Sequence, residues 1–307
     1  MTTRSSIPVF LTAPHYVLGE IDEDHTAIAG LQARIEEFRL LPKPGLWGWG
    51  RVRRTERTIE SMAVESGAAT VRAAAIDPSS IDGLVLCSTG FPADTRAHGR
   101  FVETIMRGIG LEGADFTGLT LNRCTNLLAA IQVADALVAS GRRRHVLVVT
   151  TDRADEDTRM EKFAIFSDGA ASCLVTREPG GHELMSCAAA HEAGELDWSN
   201  EISSDLARQV NERLLEPLGM KLQDVSALMH GNVFKPIVMM KEMQAGFTPE
   251  QLYTGNIPRV GHCFAADPII NLVDRTAAGH VRDGCFSMLA SSVPGSRIGV
   301  LLRKVAP

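Results

Sequence analysis

The sequence of 307 residues has only six cysteines, scattered without a CxxC pair or the dense spacing of a disulfide framework. That argues against a disulfide-stapled secreted scaffold and a cysteine-ligated zinc site, and a reducing cytoplasm is the expected compartment. No apolar run approaches the ~20 residues needed to span a bilayer, so no transmembrane helix is expected. The opening, MTTRSSIPVFLTAPHYVLGE, lacks a long apolar core and a small-residue cleavage site, so no signal peptide is expected. Acidic residues outnumber basic ones, 37 against 31, and the net charge of −6 argues against a general nucleic-acid binder. Aromatics are sparse at 5%, and that scarcity leaves the size of any pocket undefined. His15, His25, His98, His145, His182, His191 and His280 have no companion at metal-ligand spacing, and neither a metal nor a bound cofactor is expected. What remains is an ordinary globular composition, 45% hydrophobic and 22% charged, in a chain long enough for two domains or two fused halves.

The stretch 119–152, LTLNRCTNLLAAIQVADALVASGRRRHVLVVTTD, organises the chain. A short β-like run, Leu119-Thr120-Leu121, leads into Asn122-Arg123-Cys124. Leu127, Leu128, Ile131, Val133, Ala134, Leu137 and Val138 then recur at helical spacing until Ser140-Gly141 stops the pattern. Residues 145–151 return as a strand whose Val146-Leu147-Val148-Val149 is continuously apolar, which predicts a parallel sheet covered on both faces. Cys124 is therefore expected at the carboxyl end of a buried strand, in the first turn of a helix. Unpaired N–H groups and the positive end of the dipole favour thiolate there, and a thiolate is the nucleophile of covalent catalysis. The alternative is that Cys124, like most free cysteines, is a small core hydrophobe.

In chain order, a β-like run at 9–13 precedes an acidic segment at 20–25 and a helical pattern at 27–40. Next comes LPKPGLWGWGRVRRTER, where proline, glycine and tryptophan preclude a regular element. Trp47, Trp49, Arg51, Arg53 and Arg54 suit two readings, a loop packed by its aromatics or a docking surface for a phosphorylated ligand. Helices are predicted at 58–75 and 97–108, with the strand LVLCST between them. The later chain repeats the plan: FAIFSDGAA before a strand at 172–175, a helical run at about 203–218, and a strand ending on His230. A helix at 234–245 follows, with Pro236 in its first turn, then a loop at 257–262, a helix from 265 and strands at 285–290 and 297–304. Two halves, 1–175 and 176–307, are expected from internal duplication. Asp168 is expected to brace a tight turn by accepting backbone N–H bonds. Cys87, Cys173, Cys187, Cys263 and Cys285 are expected in the core.

The order of these motifs resembles the thiolase superfamily, and within it the β-ketoacyl-acyl-carrier-protein synthase III branch, over nearly the whole chain. FSDGAAS is similar to the family's FGDGAGA, and VGHCFAAD is similar to its HGNTSAAS. The resemblance implies an α/β fold of five layers, αβαβα, with Cys124 as the nucleophile and His230 as the first catalytic histidine. The family's Gln-Ala-Asn after that histidine is here Gly231-Asn232-Val233. His262 stands where synthase III enzymes carry asparagine; elongating ketoacyl synthases carry histidine there. The glycines of SSVPGSRIG sit where the family has its oxyanion loop, although Pro294 and Arg297 depart from it. Trp47, Arg51, Arg54, Asn232 and Gly295 are the expected substrate-binding residues.

The resemblance implies an acyltransferase of fatty acid or polyketide type, soluble and homodimeric, with 90–108 near the partner. Its acyl donor would be a coenzyme A or carrier-protein thioester. Two reactions are open: decarboxylative condensation with a malonyl-type extender, slightly favoured, or transfer of the acyl group to an oxygen or nitrogen. Two histidines directed at one point suit either, holding a carbonyl in the first and deprotonating an alcohol or amine in the second. A non-catalytic subunit of a heterodimer is a third reading, opposed by retention of the cysteine and both histidines. Thiolase-type cleavage lacks its second cysteine, because Cys285-Phe286-Ser287 is a poor match to CxG.

Overall fold

The structure, a computed structural model, describes residues 7–196 and 203–306; the first six residues of the opening segment lie outside it. In chain order the strands are β1 (Phe10–Leu18), β2 (Ile21–Asp24), β3 (Arg51–Arg54), β4 (Gly83–Cys87), β5 (Asp115–Leu119), β6 (His145–Asp152), β7 (Met160–Glu161), β8 (Ala164–Ile165), β9 (Gly169–Thr176), β10 (His182–His191), β11 (Val225–Met229), β12 (Phe286–Val293) and β13 (Ser296–Lys304). The helices are α1 (Leu31–Glu37), α2 (Pro44–Trp47), α3 (Ile59–Ala73), α4 (Thr95–Ile109), α5 (Asn126–Ala139), α6 (Ser204–Leu215), α7 (Lys235–Gln244), α8 (Asn256–Val260) and α9 (Asp267–Ala277).

The two parts of the chain share one strand plan. β6 lies between parallel β4 and antiparallel β9, with antiparallel β1 beyond. β12 likewise lies between parallel β11 and antiparallel β13, with antiparallel β10 beyond. The two plans meet at a short seam, Phe10 opposite Glu183 and Leu11 opposite His182.

Alternation along each strand gives both plans two apolar faces. Val146 and Val148 of β6 face one cluster, and Leu147 and Val149 face another. The shared central cluster joins β4, β6 and β9 to β11, β12 and β13 through α5 and α9. Outside it, α3 and α4 cover β4 and β6, while α6 covers β10, β12 and β13. The order is helix, sheet, helix, sheet, helix, and α5, buried by Leu127, Leu128, Ile131, Ala134 and Val138, is its centre. Each such leucine or isoleucine contributes about 1.5–3 kcal/mol by leaving water.

Four expectations change. Cys124 does not follow a buried strand: β5 begins at Asp115, earlier than the sequence suggests, and forms the largely exposed edge of the sheet beside β4. The tryptophan segment is not devoid of regular structure, because Pro44 opens α2 and Arg51–Arg54 pair with Ile21–Asp24. The physical reason is charge across the hairpin, with Arg51 and Arg53 on Asp22 and Arg54 on Glu23. Residues 257–260, expected in a loop, lie in α8. The helix expected at 27–40 shortens to α1 after Gly30, which takes a left-handed φ of 69° at its N-cap.

Asp168 has the bracing role expected of it. Fully buried, it accepts from the backbone N–H of Thr55 and Ala154 and from the Arg159 guanidinium, tying three loops together. Arg297, which departs from the family's oxyanion-loop pattern, is also fully buried. Its guanidinium forks onto Glu242 of α7 at 2.6 and 3.0 Å and donates to Ser292 Oγ at 3.0 Å, while Lys241 lies 3.1 Å from Glu242. Burial alone would raise the Glu242 carboxyl, but Arg297 and Lys241 outweigh it and hold the group at about 2. Removing one member leaves a buried charge short of its partner. Arg297→Met is expected to cost about 3–5 kcal/mol in urea unfolding at neutral pH; a change below about 1 kcal/mol would contradict this assignment.

Candidate active site

Cys124 lies in a single 3-10 turn, Arg123–Thr125, that runs into α5. Arg123 has a φ of 53°, an uncommon conformation for a residue with a side chain, immediately before Cys124. Two buried side chains hold this elbow. Asn126 Oδ1 accepts from the Asn122 N–H at 3.1 Å while its Nδ2 donates to Thr120 O, and Ser291 Oγ of β12 donates to Cys124 O at 2.9 Å. Cys124 is buried, 5% exposed.

His262 comes from the segment between α8 and α9. Gly261 before it has φ 74° and ψ −163°, and a Cβ there would meet Ile165 O at 2.9 Å, so the position requires glycine. The His262 backbone is fastened on both sides, its N–H donating to Ile165 O and its C=O accepting from Ser167 N–H, both at 2.9 Å. Phe166 packs against the imidazole with ring centroids 4.9 Å apart.

The decisive neighbour is Asp267, the first residue of α9 and fully buried. Its Oδ2 accepts from His262 Nδ1 and from the Asn232 N–H at 2.6 Å, and its Oδ1 accepts from the Cys263 N–H at 2.8 Å. The helix N-terminus adds further support for a carboxylate. Nδ1 being occupied, Nε2 is the nitrogen that faces the Cys124 sulfur. Burial, the largest influence on His262, lowers its pKa, but Asp267 and the hydrogen-bonded Cys124 sulfur outweigh it and raise the group to about 10. His262 is therefore an imidazolium at neutral pH, which places a cation beside the Cys124 sulfur. Cys124, His262 and Asp267 thus line up a thiol, an imidazole and a buried carboxylate that orients it, an arrangement chemically suited to nucleophilic catalysis.

His230 follows β11 and is buried. Its Nδ1 lies 2.7 Å from the Gly231 carbonyl, which can only accept, so Nδ1 carries the proton. Burial lowers its pKa, so the ring is neutral and Nε2 presents a lone pair, with no hydrogen-bond partner among the described residues. Gly231 brings this segment against the dyad: a Cβ there would lie 3.8 Å from His262 Cε1 and 3.7 Å from Ser291 Oγ. The two histidines thus differ, one a charged donor and the other a neutral acceptor.

Of the other expected residues, Asn232 and Arg51 line a narrow cleft together with Trp49, Gly50, Phe234 and Gly261. Trp47 packs at its side, stacked with Trp49 at 6.4 Å and tilted against Phe234 at 5.6 Å, with its Nε1 donating to Leu41 O. Arg54 is engaged by Glu23 and Glu156. Gly295 lies in the β12–β13 turn with φ 65°, pressed against the backbone of Glu195 and Leu196; Ser291 is the residue of β12 that reaches the nucleophile. Cys87, Cys173 and Cys263 are core residues, whereas Cys187 and Cys285 are half-buried.

Sequence reasoning missed Asp267. The signal was present, because VGHCFAAD differs from HGNTSAAS at two chemically linked places, His262 for asparagine and Asp267 for serine.

Comparisons with known proteins bear on the fold and on the stretch around Cys124. The family pattern of 3-oxoacyl-[acyl-carrier-protein] synthase III matches residues 120–193. The chain is 22% identical over 266 residues to a β-ketoacyl-[acyl-carrier-protein] synthase III of Aquifex aeolicus, covering 80% of this chain and 84% of that protein. A Streptomyces lividans protein of the same name is 33% identical over 134 residues, 41% of this chain and 37% of its own. Among solved structures, ChlB3, described as an acyltransferase, superimposes with a TM-score of 0.84 at 16% identity, covering 98% of each chain. OleA of Xanthomonas campestris gives 0.80 at 12% identity, covering 98% of this chain and 100% of its own.

Asp267→Asn is expected to slow iodoacetamide alkylation of Cys124 at pH 7 by about tenfold, because the imidazolium loses the charge that outweighs burial. The pair's contribution to stability is complete below pH 6.5, the ordinary value for histidine, and is lost as pH rises through about 10, so the stability gap between wild type and variant narrows over that window. Alkylation at the wild-type rate would contradict the assignment. The chain shares its fold with solved 3-oxoacyl-[acyl-carrier-protein] synthase III structures, and residues 120–193, which include Cys124, match the family pattern of those synthases.

Proposed function

We propose that this protein takes an acyl group from a coenzyme A or carrier-protein thioester onto Cys124 and passes it intact to an oxygen or nitrogen nucleophile, without decarboxylation. The observation that carries this reading is His262 held between Asp267 and Cys124. Decarboxylative condensation makes its own carbanion and takes no proton from its nucleophile, so it has little use for a proton-managing triad at the cysteine. Transfer to a protic acceptor moves a proton in each half-reaction.

In the first half-reaction, the Cys124 thiolate attacks the thioester carbonyl, the bond to the donor sulfur breaks, and that sulfur takes the proton of His262 Nε2 to leave as a thiol. In the second, the acceptor attacks the acyl carbon and gives its proton to His230 Nε2, and the bond to Cys124 breaks, releasing thiolate. The proton then passes to His262, a downhill transfer because His262 is the stronger base. The neutral His230, with its lone pair free, suits a base better than a donor to a malonyl carbonyl.

A second copy of this chain is the proposed partner along β5, which is an open sheet edge with Phe116 57% exposed. A homodimer by light scattering is expected, and a monomer at micromolar concentration would contradict it.

Intact-protein mass spectrometry with a panel of acyl thioesters tests the reaction. Cys124 is expected to gain the full acyl mass, a gain absent in Cys124→Ala, and the acyl group to be discharged by an alcohol or amine without release of carbon dioxide. His230→Gln is expected to acylate within about threefold of wild type and to discharge about a hundredfold more slowly. Discharge that requires a malonyl thioester and releases carbon dioxide would instead establish condensation, the reading slightly favoured by sequence.

A further inference from the structure

We infer that Asn232 is a catalytic residue, its Nδ2 donating a hydrogen bond to the reacting carbonyl oxygen of the donor thioester. The inference rests on the acyl-transfer reading above, to which it adds an oxyanion donor.

The orientation of this amide is fixed by a buried relay. At the far end, Arg259 Nε, which can only donate, lies 2.8 Å from Asn256 Oδ1, and Asn256 Nδ2 donates to Asp274 Oδ2 at 2.7 Å. Asn256 Nδ2 also donates to Asn271 Oδ1 at 2.9 Å. Asn271 must then present its Nδ2 on the other side, where His230 O accepts at 2.8 Å and Asn232 Oδ1 at 3.0 Å. Both ends of the relay have a single possible polarity, so no amide in it can be turned over without setting two donors or two acceptors face to face. Tyr16, donating to Asp274 Oδ1 at 2.8 Å, anchors the end remote from the site.

The consequence is an N–H₂ group that the protein itself does not use. Asn232 is 2% exposed, and its Nδ2 has no partner among the described residues. A buried donor left unpaired is costly, and a ligand acceptor would recover that cost. Asn232 lines the narrow cleft beside Gly261, and its own N–H is fixed to the same Asp267 carboxylate that holds His262. A free donor, held through its side chain by Asn271 and through its backbone N–H by Asp267, has the fixed orientation that stabilising a developing oxyanion calls for. Asn271 and Asn256 act through it as positioning residues.

The test compares two reactions at Cys124: acylation by a thioester that labels the wild type, and alkylation by iodoacetamide, which develops no oxyanion. Asn232→Ala, whose backbone N–H still reaches Asp267, is expected to lower the acylation rate at saturating donor about a hundredfold and to leave alkylation within about threefold. Asn271→Ala keeps the donor but frees it to turn; about a tenfold loss of acylation is expected, again with alkylation unchanged, and this variant serves if the first does not fold. Equal losses in both reactions would make Asn232 a structural support of the dyad and overturn the proposal. So would an unchanged acylation rate, or a rise in the donor's KM at an unchanged maximal rate, which would mean a contact remote from the reacting carbon. Failure of every thioester to label wild-type Cys124 would remove the acyl-transfer reading itself, and the proposal with it.

Discussion

The site depends on one buried carboxylate. Asp267 is wholly removed from water, a position that is costly for a charge unless donors surround it, and it meets three: the imidazole of His262 and the backbone N–H groups of Cys263 and Asn232. Each donor belongs to a segment that the chemistry uses. The carboxylate thereby sets the ring orientation of His262, keeps it charged beside Cys124, and fixes where Asn232 begins. Without it, burial would govern His262 and the histidine would be a weak, neutral neighbour of an ordinary buried thiol.

The fold brings these groups together by repeating one plan. Cys124 enters the central layer through the turn before α5, and Asp267 enters it through the first turn of α9, so two equivalent helices deliver the thiol and the carboxylate to one place. Strand ends supply the rest, with His230 beyond β11 and Ser291 near the end of β12. Two buried ion pairs fasten other parts of the chain, Arg159 with Asp168 among the loops and Arg297 of β13 with Glu242 of α7. Those pairs lie outside the catalytic group and explain two conspicuous charged residues without giving them chemistry.

Much of this was legible in the residues. The periodicity of Leu127, Leu128, Ile131 and Val138 announced α5, and the apolar run after it announced β6, because both are buried and follow simple periods. The edge strand β5 was harder, since Asp115-Phe116-Thr117-Gly118 carries no apolar alternation and is organised by pairing with β4. The β2–β3 hairpin escaped for a similar reason, its strands held by acidic residues facing basic ones across a distance of thirty positions in the chain, where local propensity says nothing. Cys124, His230 and His262 were visible as residue types in ordered motifs. Asp267 was visible as a departure but not as a partner, because only the turn through Phe264, with its φ of 51°, folds the carboxylate back onto the imidazole five residues earlier.

The central claim is that Asp267 keeps His262 charged against Cys124, and it is most directly measured by the ¹⁵N chemical shifts of the His262 ring in the wild type and in Asp267→Asn. Both nitrogens protonated at neutral pH in the wild type, with the ring neutral in the variant, is the predicted result. A wild-type ring that is neutral at pH 7 would contradict the account, and with it the division of labour between the two histidines.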